Sequence, residues 1–202
     1  MPSDTPSPGD LLRRASEASI GSTRRKLLTA AAFSEAALEN AVLVGGTAVE
    51  LHTGSYRPTD IDLIGSTRSG SEVILVGLGF VREGRHWLFA FSDGETLAVE
   101  VPGDRLDAYA LEAPRVIDLA PGRLAVISLN DLMMDRLLQA TGGEPVTMDE
   151  AVRLATAAYE RIDWEKLSAR SDAATQDGTL ARAELPAVLA SVRRAARRQL
   201  RR

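Results

Sequence analysis

The chain mixes two kinds of hydrophobic pattern as far as about residue 127 and then keeps to one. "TRRKLLTAAAFSEAALEN" (23–40), rich in alanine and leucine, predicts a helix, whereas "AVLV" (41–44) is a short unbroken apolar run that suits a buried strand and ends at Gly45-Gly46. "TAVELH" predicts a turn or two of helix, "TGSYRPT" a loop and "DIDLI" (60–64) a strand. "SEVILVGLG" predicts a helix, although its Val and Ile also suit a strand. "HWLFAFS" and "TLAVEVP" predict strands joined at an Asp93-Gly94 turn, with Trp87 and Phe89 assigned to the core. "RVIDLA" and "RLAVISL" add two short strands. From about Ser128, "SLNDLMMDRLLQA", "TMDEAVRLATAAYERI", "DWEKLSARSDA" and "LARAELPAVLASVRRAARRQLRR" predict helices separated by turn residues. The expected architecture is therefore α/β (α+β): a mixed sheet flanked by helices over 10–127, a helical lobe with a basic last helix over 128–202, and a frayed, disordered tail over 1–9.

Composition narrows the function classes. With 202 residues, 45% hydrophobic and 26% charged, the chain can bury one sizeable core, or a core plus a helical appendage. It has no cysteine, which removes disulfides, thiolate metal sites and thiol nucleophiles. Its apolar runs are short of membrane-spanning length, and "MPSDTPSPGD" lacks the basic and apolar regions of a signal peptide, so a cytoplasmic protein with no membrane partner is expected. A net charge of -4 argues against a protein that coats nucleic acid over its whole surface, but the charge is unevenly spread.

In a strand over 60–64, Asp60 and Asp62 share one face while Ile61 and Leu63 point into the core. Two carboxylates held that close repel, and a divalent metal with oxygen ligands is the usual resolution, magnesium first and manganese second. Gly45 and Gly46 leave backbone amides uncovered at the start of the next helix, where the helix dipole favours an anion and no Cβ blocks its approach. Thr47 adds a hydroxyl. Together these features describe a site for a metal-bound polyphosphate.

"GGTAVELHTGSYRPTDIDLI" resembles the signature of the nucleotidyltransferase superfamily, a Gly-Gly or Gly-Ser pair opening a helix followed by a spaced Asp-x-Asp on a strand. Within it the chain looks most like the minimal bacterial nucleotidyltransferases of the abortive-infection and toxin–antitoxin (AbiEii-like) type. The resemblance covers 41–64 and extends more faintly to Asp149, which stands where such relatives carry another acidic residue. It calls for a third carboxylate on a later strand. Glu100 in "LAVEVP" has the right parity, facing away from Leu97, Val99 and Val101; Glu95, beside the turn, reads as solvated. "NDLMMDRLLQA" resembles the helix after the catalytic lobe, with Arg136 where relatives carry a lysine, and a guanidinium there implies a triphosphate contact. The resemblance implies a magnesium-dependent enzyme that uses Asp60, Asp62 and Glu100 as catalytic and metal-binding residues. Gly45, Gly46, Thr47 and Arg136 would bind the nucleotide. Such an enzyme would move a nucleoside monophosphate from a nucleoside triphosphate, ATP included, to an acceptor hydroxyl and release pyrophosphate. The acceptor implied is an RNA or tRNA 3′ end, in a toxin-like role with a cognate antitoxin; a protein hydroxyl or a small molecule such as an aminoglycoside stays open.

Each assignment has a plainer competitor. Gly45-Gly46 also suits an ordinary strand-to-helix turn, Glu100 also suits a pair with Arg82, Arg85 or Arg105, and Arg136 also suits a salt bridge to a neighbouring helix. His52 and His86 lack metal-ligand spacing and read as structural or incidental. On the last helix Arg193, Arg197 and Arg201 recur beside Arg194, Arg198 and Arg202, with Leu185, Leu189, Val192 and Ala196 opposite. Arg193, Arg194, Arg197 and Arg198 are candidate RNA-binding residues, and a solvated face suited to a helix C-terminus is the alternative. A silent module with this fold, binding without catalysis, completes the set of readings.

Overall fold

The computed structural model describes residues 6–54, 57–105, 112–141, 145–175 and 183–202. It comprises two compact units, one of residues 1–106 and 114–127, the other of 107–113 and 128–202.

The first unit opens with α1 (Pro8–Glu17), which starts inside the stretch expected to fray. The Ser7 hydroxyl accepts the Asp10 amide at 3.1 Å, and Pro8 fills a helix-start position where no amide donor is needed. Residues 1–5 of the expected tail lie outside the described residues. Helix α2 (Thr23–Ala37) is buried on nearly every side. Its alanine-rich composition follows from that, because a helix enclosed all round has no solvent face to make polar.

The strands β1 (Leu38–Val44), β2 (Asp60–Thr67), β3 (Val81–Glu83), β4 (His86–Ala90), β5 (Thr96–Gly103), β6 (Arg115–Asp118) and β7 (Arg123–Val126) form one mixed sheet in the order β3-β4-β5-β2-β1-β7-β6. β2 lies antiparallel to β1 and parallel to β5 at the middle of the sheet, so its inward residues Ile61 and Leu63 are fully buried beside Val99. The pattern therefore predicts the α/β class correctly. β3 is the strand it misses, three exposed residues whose place is set by pairing with β4. "SEVILVGLG" resolves as helix α4 (Ser71–Gly77), with Val73 and Val76 exposed, so local propensity does not decide it. Between β1 and β2 runs α3 (Gly45–Thr53), ended by Gly54 in the left-handed conformation. Ser55 and Tyr56 of the expected loop lie outside the described residues.

The second unit is helical: α5 (Leu129–Ala140), α6 (Pro145–Ala157), a 3-10 turn (Tyr159–Arg161), α7 (Trp164–Thr175) and α8 (Leu185–Leu200). Its core includes Leu132, Met133, Leu137, Leu154, Leu167 and Val192, with a buried Asp131–Arg170 pair at 2.7 Å. Ser128 caps α5 by accepting the Asp131 amide. Residues 180–182, read from sequence as part of the last helix, lie outside the described residues. Among the described residues no helix is long and apolar enough to cross a membrane.

Candidate functional site

The strand parity read from sequence puts Asp60 and Asp62 on the face of β2 opposite its buried residues. β5 lies beside β2 in parallel register, with Glu100 directly across from Asp62 and Ala98 across from Asp60. On its other side Asp62 stands across from Val44, the last residue of β1, so the carboxylate is next to the point where the chain turns into α3. Gly45 makes that turn with φ 62°, a left-handed value that favours glycine. A Cβ at Gly45 would lie 2.6 Å from Cγ of Asp62, so only glycine lets the carboxylate close on the helix start. Val44, at the N-cap, has no side chain able to satisfy the first amides of α3. Asp62, Glu100 and the glycine turn are thus assembled by neighbouring strands.

Two of the expected site residues are differently employed. Thr47 is fully buried and donates its hydroxyl to the Asp60 carbonyl at 2.8 Å. It fastens the helix to the strand rather than facing a ligand. Glu100 is held between Nε of Arg85 at 3.3 Å and Nε2 of His86 at 3.2 Å. His86 is its cross-strand partner on β4, which gives this histidine a role that its sequence spacing did not suggest. The chemistry of the donor set suits a hard divalent cation, since Asp60, Asp62 and Glu100 offer carboxylate oxygens on one face. The cage itself is not formed: among the described residues no group of three or more acidic or histidine side chains is arranged to hold an ion.

Arg136 belongs to the second unit, where its guanidinium donates to Gln139 at 2.7 Å and lies 3.4 Å from Glu150 on α6. Its side chain is only 12% exposed, so the interhelical bridge, the plainer reading, describes its present contacts. On α8 the apolar side is as expected, with Leu185, Leu189, Val192 and Ala196 buried. The basic side is divided. Arg193 lies half-buried 5.3 Å over the ring of Trp164, while Arg197, 5.8 Å over Tyr159, is exposed, as are Arg194 and Arg198.

Two charge clusters were not legible in the sequence. Glu95, read as solvated, is bound by Nη1 of Arg25 at 2.7 Å and is 14% exposed. The same guanidinium donates to Asp93 at 2.7 Å and stacks 4.5 Å over Phe91. The Arg25 hydrogen bond holds the Asp93 carboxyl below its ordinary value. The reading of Glu95 fails because a turn signal describes local backbone, whereas its partner comes from α2, seventy residues earlier. Behind α3, Lys26 and Glu50 form a buried pair at 2.8 Å, and Thr23 donates to the same carboxylate at 2.7 Å. His52 lies with Nε2 2.9 Å from the Ile127 carbonyl, a structural contact.

No protein-family model matches the chain, and no curated protein matches it. Among solved structures it is similar to the antibiotic-resistance factor ANT(2'')-Ia, at 22% identity over 89% of this chain and 95% of that one, with a TM-score of 0.37.

Proposed function

We propose that the chain is a metal-dependent nucleotidyltransferase that moves a nucleoside monophosphate from a nucleoside triphosphate to an acceptor hydroxyl. The observation that carries this reading is the closure of the Asp62 carboxylate on the Gly45 turn at the start of α3, with Asp60 on the same face and Glu100 across the strand. Helix starts with uncovered amides favour phosphate oxygens, and the glycine allows close approach. Asp60 and Asp62 would hold the divalent cation, magnesium or manganese. That ion, when bound, supplies charge neutralisation for the phosphates.

The chain's own residues do the rest in this reading. The Gly45-Gly46 backbone positions the outer phosphates. The acceptor oxygen attacks the α-phosphorus, the bond from that phosphorus to the β-phosphate oxygen breaks, and pyrophosphate leaves. The acceptor proton passes to a carboxylate of the Asp60, Asp62 and Glu100 face. Glu100 must first exchange Arg85 and His86 for this role. We favour an RNA or tRNA 3′ end as acceptor, with Arg194 and Arg198 of α8 as exposed phosphate contacts and a toxin-like, AbiEii-type role beside a cognate antitoxin. A protein hydroxyl or a small-molecule hydroxyl is the alternative acceptor.

The pairing of Glu100 with Arg85 and His86 favours a second reading, a catalytically silent binding module. One experiment separates the two. Each α-labelled ribonucleoside triphosphate is incubated with magnesium, total RNA and total protein, using wild type beside Asp60→Ala/Asp62→Ala. Label that appears on RNA or on protein only with wild type supports transfer and identifies nucleotide and acceptor class. No label on either, together with no magnesium-dependent triphosphate binding, leaves the silent module.

A further inference from the structure

Helices α7 and α8 of the second unit line a groove of about 310 Å³, of which the transfer reading uses only Arg194, as an RNA contact. Pro186, Leu189 and Trp164 supply an apolar lining, and Arg193, Arg194 and Arg197 line the same groove with no acidic residue among them. Among the described residues none of these three guanidiniums has a carboxylate partner. Among the described residues the Arg194 guanidinium makes one hydrogen bond, to Ser191 Oγ at 3.2 Å. Among the described residues Nε of Arg193 is buried without a hydrogen-bond acceptor, an unfavourable state for a buried donor.

Like charges spaced three and four residues apart on a helix repel. A helix C-terminus would offset that for Arg197, which stands in the last turn, but not for Arg193 and Arg194 in the body of α8. Arg193 lies half-buried over the ring of Trp164, and Arg197, though exposed, lies over that of Tyr159, so the rings orient both guanidiniums. Guanidiniums without a carboxylate partner among the described residues match the oxygens of a phosphate dianion, and the apolar lining matches an organic body beside it. The volume is at the lower end for small-molecule sites, about 300–1,000 Å³.

From these features we infer that the groove binds an organic phosphate monoester of nucleoside-monophosphate size. Its phosphate lies against Arg193, Arg194 and Arg197 and its organic part on Pro186 and Leu189. The site is independent of Asp60 and Asp62.

Trp164 is the reporter. The chain has two tryptophans, so Trp87→Phe leaves Trp164 alone, and calorimetry on the unmodified chain repeats the titration without that change. Adenosine monophosphate should bind saturably without magnesium, and equally well to Asp62→Asn. Arg194→Gln, at an exposed position, should weaken it about ten-fold, the loss of one charge-assisted contact. Adenosine and inorganic phosphate should each bind at least about ten-fold more weakly. The inference is overturned by no saturable binding at millimolar monophosphate, by undiminished binding to Arg194→Gln, or by adenosine or inorganic phosphate binding equally well. It is also overturned if a single-stranded RNA binds the α8 arginines while the monophosphate does not, which would mark an extended RNA contact instead.

Discussion

Gly45 and Asp62 occupy the same space in the sense that matters: the carboxylate of Asp62 fills the volume that any side chain at position 45 would need. Gly45→Ala therefore meets both a left-handed backbone and a steric overlap. In the wild-type background it should cost about 2–4 kcal/mol and abolish magnesium-dependent triphosphate binding. In an Asp62→Gly background, which also removes the residue-62 Cβ that would lie 2.8 Å from the new methyl, the overlap with that side chain is gone and the backbone strain remains, about 1–2 kcal/mol. Urea denaturation of the four variants measures the coupling, and equal costs in both backgrounds would show that the overlap is relieved elsewhere.

Glu100 should be easier to recruit once its exposed partner is gone. Arg85 is 76% exposed, so Arg85→Ser should leave stability within about 0.5 kcal/mol of wild type. If Glu100 joins Asp60 and Asp62 around a cation, the same change should tighten magnesium-dependent triphosphate binding a few-fold. Glu100→Gln should lower transfer by about 100-fold or more. A transfer rate unmoved by Glu100→Gln would remove Glu100 from the chemistry.

The buried Lys26–Glu50 pair anchors α3 to α2 behind the glycine turn. Lys26→Met alone leaves a buried carboxylate without its cation and should cost about 3–5 kcal/mol. Lys26→Met/Glu50→Leu should recover most of that loss, because both charges leave together. Thermal midpoints of the three variants test this; a double variant as unstable as the single one would mean that the pair also fixes packing.

Acid stability should depend on Glu112. Burial works to raise its pKa, but hydrogen bonds from Lys166, Asn130 and Ser128 outweigh it and hold the carboxyl at about 2, against an ordinary 4.5. A depressed carboxylate stabilises the fold fully above the higher value and loses that contribution as pH falls through the lower one. Between about pH 4.5 and 2 the second unit should lose stability more steeply in wild type than in Glu112→Gln. Following the thermal midpoint across that window decides it, and parallel curves would contradict the assignment.

Much of the molecule was legible because its signals are local. Alternation over 60–64 determined which way Asp60, Asp62, Ile61 and Leu63 face, since side-chain parity is a property of one extended strand. The helical spacing from Ser128 on predicts helices for the same reason, and α5 to α8 follow there. The apolar stripe of α8 followed from a helical period alone.

What only the tertiary structure decided depends on groups far apart in the chain. No local pattern tells that Glu95 meets Arg25, that Glu100 meets His86 across β4, or that Thr47 is spent on the Asp60 carbonyl. The same holds for α8, where the sequence determines a basic face but the ring of Trp164 decides that Arg193 is the arginine drawn in from it. Periodicity determines the direction of a side chain from its own backbone. Its partner depends on which strands and helices become neighbours, and that is set only when the whole core packs.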